Sequence, residues 1–218
     1  MKFNELQYLV RYPENFDENK KYPVIFFLHG AGTRAKDTKP LENNSCFLNI
    51  SAYAASDFIV YAPLCETHNW NSYMQTLIAF VEYVKAQNFT DTERFYLTGN
   101  SMGGYGTWEL ACQMDNTFAA IMPVCGGGMQ WLAYRLKDTP IRAFHGVLDD
   151  VVLPTESINM VAAVNKKGGN AELITFPHVK HNVWNYVYTD KAQLDWLTSH
   201  TLSKGELEKD ALKGEIYG

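Results

Sequence analysis

Residues 95–108 read F-Y-L-T-G-N-S-M-G-G-Y-G-T-W, and no other stretch restricts the possible folds so tightly. Phe95-Tyr96-Leu97 is an apolar and aromatic run of strand length, and Trp108, Glu109, Leu110 and Ala111 are compatible with a helix. Between them Gly99-Asn100-Ser101-Met102-Gly103 fits G-x-S-x-G, a sharp turn that presents a serine hydroxyl at the top of a strand. The turn strains the backbone of Ser101, so its neighbours must be small. Gly99 and Gly103 give the room, and Gly104 and Gly106 let the helix lie close to the sheet. A glycine-rich turn with an incidental serine has the same letters. What separates the two is whether a base, an orienting acid and oxyanion donors follow.

The rest of the chain supplies alternating strands and helices. Residues 6–11 read as a first strand, and the apolar run Val24-Ile25-Phe26-Phe27-Leu28 as a strand covered on both faces. Residues 31–44 predict a loop, 48–55 a short helix and 57–62 a buried strand ended by Pro63. Tyr73, Leu77, Phe80, Val81 and Val84 follow helical spacing. After the turn, strands are expected at 118–124, 141–145 and 172–176, with a short apolar stretch at 129–136. Ile158, Val161, Ala162 and Val164 mark a helix capped by Gly168-Gly169. A last helix runs from Asp190, with Gln193 in capping-box position, to about Leu202. This pattern predicts one α/β domain over residues 1–202, an open and mostly parallel sheet with helices on both faces. Residues 203–218 form a charged, glycine-punctuated tail, expected to be disordered.

At 218 residues the chain suffices for one such domain with a complete core. The net charge is −5 with no lysine and arginine stripe, which argues against nucleic acid as a partner. No run of 18 apolar residues predicts a membrane span. Cys46, Cys65, Cys112 and Cys125 lack C-x-x-C spacing and read as free, mostly buried thiols, with a Cys46–Cys65 bridge left open. The polar N-terminus carries no signal-peptide pattern, so a cytoplasmic protein is expected. Leu207, Leu212 and Ile216 in the tail leave a homo-oligomer open.

A serine needs a base to take its proton. Of six histidines, His29 and His145 each precede a glycine at a strand end and read as residues that hold loops; His200 falls in the last helix; His68 precedes Ser101. His178 and His181 lie in the loop after the last strand, from which a side chain can reach across the strand ends; His181 is preferred, with His178 as the alternative. An acid must fix the imidazole, and Asp149-Asp150 follow the strand 141–145, giving the order Ser, Asp, His. Asp149 is the choice and Asp150 the alternative. The backbone N–H of Met102 and of Ala31, in the small-residue loop His29-Gly30-Ala31-Gly32, are the candidate oxyanion donors. Trp70, Met129, Trp131 and Trp184 lie near predicted strand ends and are candidates to line a substrate cleft.

Over residues 20–200 the chain resembles the α/β-hydrolase superfamily. Within it, the chain is similar to small serine esterases, called predicted peptidases or feruloyl or acetyl-xylan esterase-like, and to the dienelactone hydrolase-like group. The residues that carry the likeness are F-F-L-H-G-A-G, G-N-S-M-G-G-Y-G-T-W, H-G-V-L-D-D-V-V and H-N-V-W, in that order. The resemblance implies a three-layer fold and supports Asp149 and His181 as acid and base. Serine in place of cysteine at position 101 departs from dienelactone hydrolases. No insertion large enough for a lid lies between Val124 and Ile141. The expectation is a serine hydrolase of small or medium carboxylic esters, working without metal or cofactor on a small-molecule substrate. A peptidase or aminoacyl-ester hydrolase, or a non-catalytic binding protein on the same fold, are the rivals.

Overall fold

The run of apolar residues before His29 becomes the centre of the sheet. In the computed structural model, which describes residues 1–202, Tyr22–Leu28 is buried along its whole length. Alternate side chains go to opposite faces, as the pleat requires. Val24, Phe26 and Leu28 join one hydrophobic cluster, while Ile25 and Phe27 join the other.

The strands are β1 (Lys2–Phe3), β2 (Leu6–Arg11), β3 (Tyr22–Leu28), β4 (Ile59–Pro63), β5 (Thr90–Asn100), β6 (Ala120–Val124), β7 (Ile141–Gly146) and β8 (Ala171–Phe176). They form an 8-stranded sheet in the order β1-β2-β4-β3-β5-β6-β7-β8. From β4 to β8 all pairs are parallel, and β2 is antiparallel to both of its neighbours. The helices are α1 (Lys39–Glu42), α2 (Ser45–Tyr53), α3 (Met74–Lys85), α4 (Met102–Gln113), α5 (Thr155–Lys166), α6 (Trp184–Val187) and α7 (Lys191–Thr198). Apolar side chains of α3, α4 and α5 pack in one cluster, and those of α2, α6 and α7 in the other. The sheet is thus covered on both faces, in three layers, as the alternating pattern predicts.

Several local expectations are corrected. The dipeptide strand β1 is too short to register in a sequence pattern. The loop 31–44 contains α1 and a 3-10 turn at Ala31–Thr33, and the apolar stretch after Met129 is a 3-10 turn at Gln130–Leu136. Helix α5 is rotated from its expected face: Ser157, Met160 and Val164 are buried, whereas Ile158 is exposed. The reason is polar, because Ser157 Oγ donates to the Gly126 carbonyl (2.8 Å) and meets His145 Nδ1 (2.7 Å). Helix α7 stops at Thr198 rather than Leu202, so His200 lies beyond it. The Tyr96 hydroxyl approaches the carbonyls of both Thr198 (2.9 Å) and His200 (2.8 Å), taking over acceptors that further helix would use. Asp190 caps α7 by accepting from Ala192 N–H, but Gln193 does not complete a capping box. Its amide bonds the Asp190 carboxylate, and the Asp190 N–H already donates to the Tyr186 carbonyl. The expected tail, 203–218, lies outside the described residues.

All four cysteines are free and buried. Among the described residues no helix is long and apolar enough to cross a membrane.

The register between β3 and β5 sets Leu28 beside Gly99, so the chain segments that leave these two strands emerge side by side. Helix α4 then starts against the end of β3. A Cβ on Gly103 would lie 1.8 Å from the Leu28 carbonyl oxygen, far inside contact. Gly103→Ala is expected to destabilise the protein by about 3 kcal/mol or more, since backbone on both sides must move. Urea unfolding of the variant with a midpoint equal to wild type would contradict this.

Candidate active site

Ser101 sits at φ 56° and ψ −118°, outside the ordinary regions for a non-glycine residue. The surroundings hold it there. Its N–H donates to the Val124 carbonyl at the end of β6 (2.8 Å), and its own carbonyl accepts from Tyr105 N–H (3.1 Å). The strain turns the side chain out of the sheet and toward the loop that follows β8.

That loop is fixed by backbone contacts to β7. Val147 N–H donates to the Phe176 carbonyl and Leu148 N–H to the Val179 carbonyl. Gly146 permits the approach, since a Cβ there would stand 2.2 Å from the Lys180 carbonyl oxygen. His181 is thereby delivered to Ser101, with Oγ 2.8 Å from Nε2. Its Nδ1 lies 2.7 Å from Asp149 Oδ2. A carboxylate accepts only, so the proton sits on Nδ1 and Nε2 is left to accept from the serine hydroxyl. The Trp184 ring stands edge-on against the imidazole, centroids 5.0 Å apart.

Asp149 is 3% exposed. Burial pushes its carboxyl upward, but the His181 hydrogen bond and the amides of Val152 (2.9 Å) and Val151 (3.0 Å) outweigh it and hold the carboxyl below its ordinary value. Of the alternatives, Asp150 is exposed and pairs with Lys180 (2.7 Å), and His178 is exposed in the turn after β8.

The two candidate oxyanion donors open helical segments: Ala31 starts its 3-10 turn and Met102 starts α4. The first N–H groups of such segments have no partner within them. Behind the loop, His29 is buried and tied at both nitrogens. Nε2 accepts from Cys65 N–H (3.0 Å), so Nδ1 donates to the Gly30 carbonyl (2.8 Å). Burial lowers its pKa to about 4, which keeps it neutral. His145 is also buried, and its Nε2 donates to the Val152 carbonyl (2.9 Å). Both histidines hold loops, as their places before glycines lead one to expect.

Cys125, His145 and Asp149 bring their ligand-type atoms within 4.8 Å of one another. His145 and Asp149 are already engaged as described, and burial pushes the Cys125 thiol up to about 12, well away from the thiolate a metal needs. The group is packing and hydrogen bonding around Asp149, which holds His181, rather than a fitted metal site.

Two cavities, each of 470 Å³, meet at Ser101. The first runs along α4 and is lined by Trp70, Met102, Tyr105, Glu109 and Met129 among others. The second is lined by the 30–33 loop, Asn44, Asn100, His181 and Trp184. Trp70 and Met129 thus face one cavity and Trp184 the other. Trp131 lines neither: it is 73% exposed on the surface turn after Met129, a correction to its expected place. Tyr105 and Glu109 also line the first cavity, and the sequence signal for them is their spacing of four residues on the helix that follows Ser101. Asn100 is buried, and its Oδ1 has no hydrogen-bond partner.

The family model of the prolyl oligopeptidase family matches residues 65–141 and 130–203. The probable feruloyl esterase C of Aspergillus terreus is 28% identical over 157 residues, covering 70% of this chain and 58% of that protein. The dipeptidyl-peptidase 5 of Porphyromonas gingivalis is 26% identical over 226 residues, covering 78% of this chain and 32% of that protein. The chain therefore spans little more than half of the first relative and about a third of the second. Among solved structures, a thermostable esterase superposes with a TM-score of 0.77 at 26% identity, covering 90% of this chain and 59% of that one. Est1E of Butyrivibrio proteoclasticus shares the fold with a TM-score of 0.68 at 15% identity, covering 89% and 93%. With more than half of its length matched by the family model, and with this fold, the chain belongs to the prolyl oligopeptidase family of α/β-hydrolases.

Proposed function

We propose that the chain is a serine carboxylic-ester hydrolase acting on small or medium esters. The observation that carries the reading is the unbroken hydrogen-bonded line from Asp149 through His181 to Ser101, ending where two cavities join. In the reaction, Ser101 Oγ attacks the acyl carbon as His181 Nε2 takes its proton. The amides of Ala31 and Met102 hold the oxyanion. Asp149 stabilises the imidazolium, which then protonates the departing alcohol. Water, activated by the same imidazole, releases the acid and restores the serine.

The family also contains peptidases, and the match to a dipeptidyl peptidase keeps a peptidase as the second reading. The esterase reading is preferred because the feruloyl esterase match spans the larger share of its relative. Hydrolysis of p-nitrophenyl esters without cleavage of peptidyl p-nitroanilides supports the first reading. The opposite pattern supports the second.

Ser101→Ala is expected to lower kcat by about 10⁴ to 10⁶-fold with the fold intact, and to abolish labelling by a fluorophosphonate. An unchanged rate would place the chemistry elsewhere. Because the folded-state pKa of Asp149 lies below its unfolded value, its carboxylate stabilises the fold fully above about pH 4. That contribution is lost as pH falls through the lower folded-state value. The Tm gap between wild type and Asp149→Asn should therefore be widest near neutrality and narrow on acidification, as read by thermal melts from roughly pH 7 to 3. A gap that widens toward acid refutes the assigned direction.

A further inference from the structure

The two cavities at Ser101 are not equivalent, and the difference assigns a substrate class. On the esterase reading, on which this inference rests, His181 must protonate the departing alcohol. The alcohol therefore occupies the cavity that His181 lines, and the acyl group occupies the cavity along α4, which His181 does not line. We propose that Glu109, which lines that acyl cavity, selects esters whose acyl chain ends in a cation.

Tyr105 and Glu109 are four residues apart on one face of α4, and both line the cavity that Ser101, the residue just before the helix, also lines. The helical rise sets Glu109 ~10 Å along the axis from Met102, where α4 begins. Side chains on a helix lean back toward its N-terminus, so the carboxylate reaches to roughly 8 Å from the serine, about the span of a six-carbon acyl chain. Trp70, Met102, Met129 and Val152 give the same cavity apolar wall suited to a hydrocarbon stem, with Asn69 and Asn71 as its polar part.

Glu109 is half-buried, and among the described residues its side chain makes neither an ion pair nor a hydrogen bond. No lysine, arginine or histidine lines the cavity. The other acid nearby, Glu156, stands against the Tyr105 hydroxyl and adds negative potential from behind it. A half-buried carboxylate with no ion-pair partner among the described residues gains from a cation delivered by the ligand and repels an anion. Trp131 and Met129 at the surface turn add no charge that offsets it.

Three p-nitrophenyl esters of equal chain length test this: the 6-(trimethylammonio)hexanoate, the hexanoate and the adipate half-ester. The wild type is expected to favour the cationic over the anionic ester by about 100-fold in kcat/KM, with the preference shrinking as salt is raised. Glu109→Gln should cut that ratio about tenfold or more, and Glu109→Lys should invert it. A ratio that stays within about twofold of wild type in both variants, each folded by circular dichroism, overturns the inference. The hexanoate ester read alone reports on the esterase reading. Its turnover together with an unchanged ratio leaves that reading standing while removing the role of Glu109. Failure to turn over any of the three removes both.

Discussion

The closest constraint in the molecule is a backbone-to-backbone one, the seating of the first turn of α4 on the end of β3. Only the missing side chain of Gly103 lets it lie against the Leu28 carbonyl. This contact sets where α4 begins, and so where Ser101 is bent out of the sheet. It also brings the elbow next to the chain leaving β3, which carries Ala31. Ser101 and the loop that carries Ala31 are therefore positioned by the same packing.

A second layer of support lies beneath. Asp149 receives two backbone amides and the His181 ring, and His145, at the end of β7, reaches to Ser157 on α5 and to the Val152 carbonyl. These bonds join the ends of β6 and β7 to α5. An imidazole held by a carboxylate that is itself held loses little orientation when it takes up a proton. The same bonds explain why α5 turns Ile158 outward: satisfying a buried serine outweighs burying one more apolar face.

Around Ser101 lie two spaces of equal volume and unlike lining. One is walled by an apolar stretch that ends at a carboxylate. The other is walled by the histidine, an amide side chain and the small-residue loop. The asymmetry follows from the fold, because α4 borders one side of the serine and the loop after β8 borders the other. On the proposed reading, substrate choice depends on which residues α4 presents to the cavity, and these can change without disturbing the elbow.

The strand-turn-helix letters, the apolar run before His29 and the order Ser101, Asp149, His181 were legible in the sequence because each is a local pattern or a chain order. Alternation of buried strands and amphipathic helices likewise led to three layers. Local patterns failed where a distant partner intervened: Ser157 turned α5, Tyr96 ended α7, and the Tyr186 carbonyl took the donor that a capping box at Asp190 needs. Trp131 looked like a cleft residue by position, yet a 3-10 turn carries it to the surface. Which side chains meet across 30 to 80 residues, and which of two neighbouring cavities each one faces, was decided only by the tertiary structure. Hydrophobic period and turn chemistry are properties of adjacent residues, whereas a hydrogen bond between loops depends on how the strands beneath them are registered.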